Sequence, residues 1–316
     1  MESIIITGAN SGIGYECAWH LASMAPNQQV ILACRNTQAG NEALRKIKAQ
    51  TGHGHLVCLA LDLGDWQSIR DFAAAFSTLP EVRIAALINN AGLQKVGKIS
   101  YTKDGLEETF GVNHLGPLYL TLLLLPYLSE HARITFTASG THDPKQKTGM
   151  PAPKFQSARL LAFPENSTDT ALSIGQQRYT TSKLCNVLTV YELQRRLAHT
   201  HIHVNAFDPG LVPGTGLAKN YPPVLKFLFN NVFKVMRLLH PNVHTAKKSG
   251  MRLANLAYGA AYQNAKGKYF EGEKEIPSSV GSYNQSDQKE LWDSSMELLG
   301  ITPQELPDRL VSRAER

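Results

Sequence analysis

The chain has 316 residues, 43% of them hydrophobic and 18% charged, with 24 Gly and 16 Pro. That much apolar material fills a core, which excludes a disordered, collagen-like or small disulfide-scaffold protein. The formal charge is +6, from 32 Lys+Arg against 26 Asp+Glu. So mild an excess suits anionic small molecules, and no Lys/Arg block is long enough to imply nucleic-acid binding.

Cys17, Cys34, Cys58 and Cys185 stand singly in apolar or helical stretches without CxxC spacing. They read as reduced core thiols with no disulfide or metal role. The 11 histidines form no ligand set, and no metal is expected; His199, His201 and His203 alternate at a helix-to-strand turn and read as surface residues. Met1-Glu2-Ser3 leads directly into Ile4-Ile5-Ile6, leaving no room for a signal peptide. The most apolar run, Pro117 to Leu128, is interrupted by Pro126 and is shorter than the ~20 residues a bilayer span needs. The expectation is a soluble, cytoplasmic protein.

Short apolar runs alternate with helical patterns along the chain. Strands are predicted at Ser3–Thr7, Gln29–Cys34, Leu56–Leu61, Ile84–Asn89, Arg133–Ala138 and His203–Asp208. Helices are predicted at Gly14–Met24, Ala39–Thr51, Trp66–Leu79, Gly105–Ser129 and Tyr179–Thr200, the fourth eased at Gly116-Pro117. Continuously apolar strands separated by helices imply a parallel sheet covered on both faces. Right-handed crossovers make this a single-domain, Rossmann-type doubly wound α/β fold.

Two segments depart from the alternation. His142 to Gln177 is loop-rich, with Pro144, Pro151, Pro153 and Pro164. Tyr221 to His240 reads as one or two helices with an apolar stripe (Val224, Leu225, Leu228, Phe229, Val232, Val235) and with Lys226, Lys234 and Arg237 beside it. Both follow strand C-terminal ends, where open α/β sheets bind ligands. A flap over about residues 211–240 has three readings: substrate lid, ordinary core packing, or peripheral contact with a membrane surface. A C-terminal extension covers about 285–316.

Thr7-Gly8-Ala9-Asn10-Ser11-Gly12-Ile13-Gly14 follows the first strand and opens the first helix. Its glycines permit a tight turn and close backbone approach, and the helix N-terminus offers N–H groups and a positive dipole to a pyrophosphate. The second strand ends in Cys34-Arg35-Asn36. A carboxylate there would accept from ribose hydroxyls and repel a 2′-phosphate, whereas the Arg35 guanidinium binds one, so NADPH is favoured over NADH. Asp62-Leu63 ends the third strand, where the carboxylate either accepts from an adenine amino group or caps a helix. Tyr179 and Lys183 form Tyr-x-x-x-Lys, projecting from one helix face a turn apart. The ammonium favours the phenolate, bringing the phenol nearer working pH as a proton donor to a carbonyl oxygen.

Together Thr7–Gly14, Asp62-Leu63, Asn89-Asn90-Ala91-Gly92, Asn113, Ser139, Tyr179/Lys183 and Pro209-Gly210 occur in the order of the short-chain dehydrogenase/reductase family, which the sequence resembles closely from Ser3 to Gly210. The resemblance implies that Gly8, Asn10, Ser11, Gly12, Ile13, Gly14, Arg35, Asn36, Asp62 and Leu63 bind NADPH/NADP+, with Asn90, Ala91 and Gly92 walling its adenosine side. Asn113 would hold a water in a proton relay to Lys183. Ser139 would hydrogen-bond the substrate oxygen, with Thr137 and Thr141 as rivals. Tyr179 would be the acid/base and Lys183 would hold the nicotinamide ribose. Pro209, Gly210, Val212 and Thr215 would hold the carboxamide, although Pro213-Gly214 before Thr215 departs from the commoner pattern.

Within the family, Ala33-Cys34-Arg35-Asn36 and Tyr179 to Asn186 are similar to retinol-dehydrogenase-like reductases and to light-dependent protochlorophyllide reductase. Leu211 stands where the pigment enzymes carry a cysteine. The implied function is hydride transfer between NADPH and a carbonyl (or alcohol) of a bulky apolar substrate. The alternatives are light-driven reduction of a tetrapyrrole C=C bond and a non-catalytic NADP-binding regulatory protein. Either a monomer or a homo-oligomer through the two long helices is compatible with the chain.

Overall fold

The computed structural model describes residues 1–77, 83–165, 171–214 and 242–310. One sheet of eight strands runs through the described residues in the order β3-β2-β1-β4-β5-β6-β7-β8. The strands are β1 (Ser3–Thr7), β2 (Gln29–Cys34), β3 (Leu56–Ala60), β4 (Ile84–Asn89), β5 (Leu128–Thr137), β6 (His203–Asp208), β7 (Tyr269–Glu271) and β8 (Lys274–Glu275). All pairings are parallel except β7 with β8. The order reverses between β1 and β4, which opens a crevice beyond their C-terminal ends, at Thr7 and Asn89.

Neighbouring residues of β1 feed opposite cores, because side chains alternate across a strand. Ile4 and Ile6 pack with Val30, Leu32, Ile88 and Phe207 beneath α1 (Gly12–Met24) and α2 (Thr37–Thr51). Ile5 joins Ile31, Leu87, Ile134 and Phe136 on the face covered by α3 (Trp66–Ser77) and the later helices. Each such fully buried aliphatic contributes roughly 1.5–3 kcal/mol. Between β4 and β5 lie α4 (Glu108–Phe110), a π-turn at Gly111–Leu115 and α5 (Gly116–Leu124). The loop before the longest helix carries α6 (Ala158–Ala162), and α7 (Leu172–Arg196) follows.

The predicted strands agree with the observed ones at β1, β2, β4 and β6, and at β3 to within one residue. Two helices differ. The predicted Gly105–Ser129 helix starts later, since Gly105 takes φ +80 and the Glu107 carboxylate caps α4 by accepting from the N–H groups of Thr109 and Phe110. It also ends earlier: Pro126 lacks an N–H, the chain tightens into a 3-10 turn at Leu125–Tyr127, and β5 begins at Leu128, opposite Ile84. The predicted Tyr179–Thr200 helix begins seven residues sooner, at Leu172. Gly175 permits this, because a Cβ there would lie 2.5 Å from the Lys95 carbonyl oxygen. The apolar segment Tyr221–His240 lies outside the described residues.

After Asp208, α8 (Ala246–Tyr258) packs against α1, and α9 (Gln285–Leu299) packs against α6 and α7. The Arg133 guanidinium, on β5, donates to the carbonyls of Leu256, Tyr258 and Gly259 at the C-terminal end of α8, where the helix dipole also favours a cation. A Cβ on Gly250 of α8 would sit 2.4 Å from Glu16 Cβ and 2.7 Å from the Cys17 backbone nitrogen. Gly250→Ala is therefore expected to cost about 1–3 kcal/mol by overpacking, measured as a lower urea midpoint with an unchanged slope.

Candidate active site

The crevice is built around Thr7. Its hydroxyl oxygen accepts from the backbone N–H groups of Asn90 and Ala91, at 3.0 and 2.9 Å, while Asn90 Nδ2 donates to the Thr7 carbonyl at 2.9 Å. The loop after β1 is thus laced to the loop after β4. Gly8 and Gly12 have φ +68 and +58, a region costly for other residues. Gly14 is required by proximity: a Cβ there would lie 2.4 Å from the Gly8 carbonyl oxygen and 2.6 Å from Asn90 Nδ2. Ser11 caps α1 with no side-chain hydrogen bond to the helix, and the first turn, Gly12-Ile13-Gly14, has no acidic residue. Asn10 lies in the turn leading to this end.

Cys34 and Arg35 sit at the mouth of β2. Cys34 is buried and its thiol is pushed up to about 12, chiefly by burial and then by the adjacent Cys58. Arg35 is exposed. Asn36 caps α2, its side chain accepting from the Ala39 N–H. Asp62 does not cap α3: its carboxylate accepts from the Gly64 N–H at 3.0 Å, whereas Asp65 accepts from Gln67 and Ser68 at the start of that helix. Leu63 is buried, with its carbonyl oxygen 2.3 Å from where a Cβ on Gly116 would stand.

Lys183 and Tyr179 occupy one face of α7, one turn apart. Lys183 Nζ lies 5.6 Å from the centre of the Tyr179 ring and donates to the Thr137 carbonyl at 2.9 Å. Asn186 donates to the same carbonyl at 3.1 Å. Lys183 is 3% exposed, and burial lowers its ammonium to about 8, with Asp208 opposing the shift. A Cβ on Gly92 would stand 3.3 Å from Asn113 Oδ1 and 3.5 Å from Lys183 Nζ, so these three groups converge.

Asn113 lies in the π-turn, a helical irregularity frequent at functional sites. Its side chain accepts from the Leu93 N–H and donates to the Leu93 carbonyl and to Ser182 Oγ, between 2.8 and 3.0 Å.

Ser139 follows β5 and caps a 3-10 turn at Gly140–His142. Its oxygen accepts from both the N–H and the hydroxyl of Thr141, at 3.3 and 3.1 Å, and no described residue accepts its hydrogen. Thr137 is buried within the strand, where its carbonyl serves Lys183. The Thr141 hydroxyl is turned onto Ser139 Oγ.

At the end of β6, the Pro209 carbonyl accepts from Ser249 Oγ, Gly210 takes φ +73, and Val212 is buried. Thr215 lies outside the described residues.

Sequence reasoning missed Thr7, Asp208 and His142. Thr7 heads a motif read for its glycines, and its role needs the β4 loop beside it. His142, fully buried, has Nδ1 2.7 Å from the Ser139 carbonyl oxygen, and Nε2 accepts from the Ser279 N–H at 3.0 Å. This fixes a neutral imidazole protonated on Nδ1, and burial lowers its pKa in the same sense. No local signal marks a residue whose partner is 137 positions away. Among the described residues, no group of three or more His, Cys, Asp or Glu side chains is placed to hold a metal, and no helix is long and apolar enough to cross a membrane.

The family description short chain dehydrogenase matches residues 2–150, and AcuH dehydrogenase domain matches 218–306. Retinol dehydrogenase 12 of Homo sapiens is 34% identical over 300 residues, covering 94% of this chain and 86% of that protein. Such identity along nearly the whole chain decides its family. The chain belongs to the short-chain dehydrogenases.

Polyprenol dehydrogenase of Homo sapiens is 32% identical, covering 94% of this chain and 84% of its own length. Among solved structures, an uncharacterized protein from Mycobacterium paratuberculosis has a TM-score of 0.70 at 28% identity, covering 96% of this chain and 94% of its own. An NADPH-bound carbonyl reductase from chicken fatty liver shares the fold, with a TM-score of 0.61 at 23% identity over 87% of this chain and 93% of that one. The short-chain dehydrogenase fold and its oxidoreductase class therefore stand together.

The buried ammonium has a measurable consequence. The folded value of about 8 lies below the ordinary 10.5, so between these values the unfolded chain binds more protons and stability rises with pH. Below pH 8 the full cost of burial applies. Lys183→Met is expected to stabilise the fold at pH 7 by on the order of 2 kcal/mol, after allowing for the lost hydrogen bond to Thr137. Thermal unfolding across pH 7–10.5 should show this gain shrinking above pH 8.

Proposed function

We propose that this short-chain dehydrogenase transfers hydride between NADPH and the carbonyl, or reversibly the alcohol, of a bulky apolar substrate, with Tyr179 as acid/base. The single observation carrying this reading is the Tyr179–Lys183 pair, with the ammonium buried 5.6 Å from the phenol ring and anchored on Thr137. The residues present fit the cofactor. Gly8, Gly12 and Gly14 keep the turn clear of side chains, and the α1 N-terminus carries no side-chain cap or acidic residue that would compete with a pyrophosphate. Arg35, exposed at the β2 end, would take a 2′-phosphate, and Asn90, Ala91 and Gly92 would wall the adenosine side.

When bound, the reduced nicotinamide supplies hydride to the carbonyl carbon. Tyr179 Oη gives its proton to the carbonyl oxygen, and the Lys183 ammonium stabilises the phenolate left behind. Ser139 Oγ, its lone pairs already engaged by Thr141, directs its hydrogen at the same oxygen. Asn113, tied to Leu93 and Ser182, holds the irregular turn beside Lys183 from which a water would relay the proton. Gly210 and Val212 form the described part of the carboxamide end.

The substrate class draws on relatives named for retinol and polyprenol, both apolar alcohols. The four cysteines are free, which suits a reducing compartment.

The test is NADPH oxidation over a panel of aldehydes, ketones and retinoids. Tyr179→Phe should lower kcat by roughly 10²–10⁴-fold, the usual range for a lost general acid, while NADPH still binds; unchanged turnover would reject the proposed acid. Arg35→Ala should raise the KM for NADPH about tenfold relative to NADH, as expected for one lost charge-assisted bond.

A further inference from the structure

The site contains one buried carboxylate to which the hydride-transfer reading gives no task. Asp208 ends β6 and is 1% exposed. Its Oδ1 accepts from the Gly210 N–H at 2.9 Å, and its Oδ2 accepts from the Tyr269 hydroxyl at 3.0 Å. The Gly140 backbone also lies against it, since a Cβ on Gly140 would stand 3.1 Å from Oδ2, and its N–H favours the charged form. Gly140 directly follows Ser139, and Gly210 opens the turn expected to hold the carboxamide. One side chain therefore ties together the two loops that border the reacting atoms.

Its anchor is rigid. Tyr269 is 1% exposed and lies against the His142 ring, with centres 4.8 Å apart, and His142 in turn is bonded to the Ser139 carbonyl and the Ser279 N–H. The charged and titratable groups facing Asp208 are Lys183 on α7, and Tyr269 and Glu271 on β7. Those facing Lys183 are Asp208 and, on its own helix, Tyr179. Lys183 Nζ is held on the Thr137 carbonyl, and Thr137 pairs with Phe207, the residue before Asp208, so the two charges stand on neighbouring strand ends. A buried ammonium keeps its proton more readily where something offsets its desolvation, and among the described residues Asp208 is the carboxylate that does so.

We propose that Asp208 is a positioning residue for the proposed reaction: its carboxylate pins the Ser139-Gly140 and Pro209-Gly210 turns and supplies the negative charge that keeps Lys183 protonated beside Tyr179. The inference rests on the assignment of Tyr179, Lys183 and NADPH above. It also explains why a carboxylate is kept where burial raises it to about 6. The folded value exceeds the ordinary 3.8, so the folded state holds its proton more tightly and loses stability as pH rises through about 6. An amide would avoid that cost, so a group kept only to accept hydrogen bonds has no need of the charge.

The experiment measures NADPH affinity by nicotinamide fluorescence between pH 6.5 and 10, with no substrate required, for the native chain, Asp208→Asn, Tyr269→Phe and Lys183→Met. Affinity of the native chain should fall as Lys183 loses its proton, and Lys183→Met should abolish that pH dependence. In Asp208→Asn the fall should occur about one pH unit lower, the lesser end of what an opposite charge does to a buried neighbour. Its thermal midpoint should decline less than the native one between pH 5 and 7.

Should Asp208→Asn not fold, Tyr269→Phe provides the second arm. Losing the donor at Oδ2 weakens the charged carboxylate, and a smaller shift in the same direction is expected. A fall at the native pH in Asp208→Asn, or in Tyr269→Phe where Asp208→Asn does not fold, would make Asp208 a structural acceptor only and overturn the proposal. No NADPH binding by the native chain, or a pH dependence untouched by Lys183→Met, would instead overturn the parent reading of the site.

Discussion

A cation held out of water is the constraint around which this molecule is arranged. Lys183 sits in the middle of α7, almost fully buried, and its ammonium is lowered to about 8 because little around it replaces solvent. Such a group is tolerated only where several elements converge to receive it. Here β5 offers the Thr137 carbonyl, Gly92 leaves room by having no side chain, and β6 contributes the Asp208 carboxylate. The phenol of Tyr179 lies one helical turn away. Packing alone would favour an apolar residue at 183, so the stability given up there is what the proposed proton chemistry requires.

A second constraint is the knot at Thr7. Doubly wound sheets open a crevice where strand order reverses, but the crevice must be held at a fixed width to grip a dinucleotide. The Thr7 hydroxyl and carbonyl bind the β4 loop through Asn90 and Ala91. Gly14 lets these backbones approach to a distance that a Cβ would prevent, and Gly8 supplies the positive φ that the turn needs. The glycine turn after β1 and the Asn90-Ala91-Gly92 turn after β4 are therefore one unit, as the polar groups on β5, β6 and α7 are another. Both units stand at the C-terminal edge of the sheet, carried by strands whose alternating side chains fill two separate cores.

Much of this was legible along the chain, for identifiable reasons. Strands buried on both faces write themselves as unbroken apolar runs, so β1, β2, β4 and β6 were readable to the residue. Turn glycines and the Tyr179–Lys183 spacing are local and need only neighbouring residues to be interpreted. Boundaries governed by distant contacts were not readable. Gly175 falls in the stretch that reads as loop until the Lys95-Val96 backbone is seen against it, and Asp62 resembles a cap until Asp65 is seen in that role. The apolar run around Asn113 gives no sign of a π-turn, since the extra residue in that turn is placed by bonds to Leu93 and Ser182.

Local pattern along the chain carries the α/β alternation, the glycine-rich turn after the first strand, the Tyr179–Lys183 pair and the membership these motifs imply. Each depends on periodicity or spacing within a few turns of chain. Tertiary structure alone decided which polar groups meet. Asp208 reads as a strand end and His142 as a loop residue, and Tyr269 carries no local signal, yet together they enclose the Ser139 turn. The sheet brings them together from positions 61 residues apart or more, and hydrogen bonds and charge act through space at distances that no local pattern records.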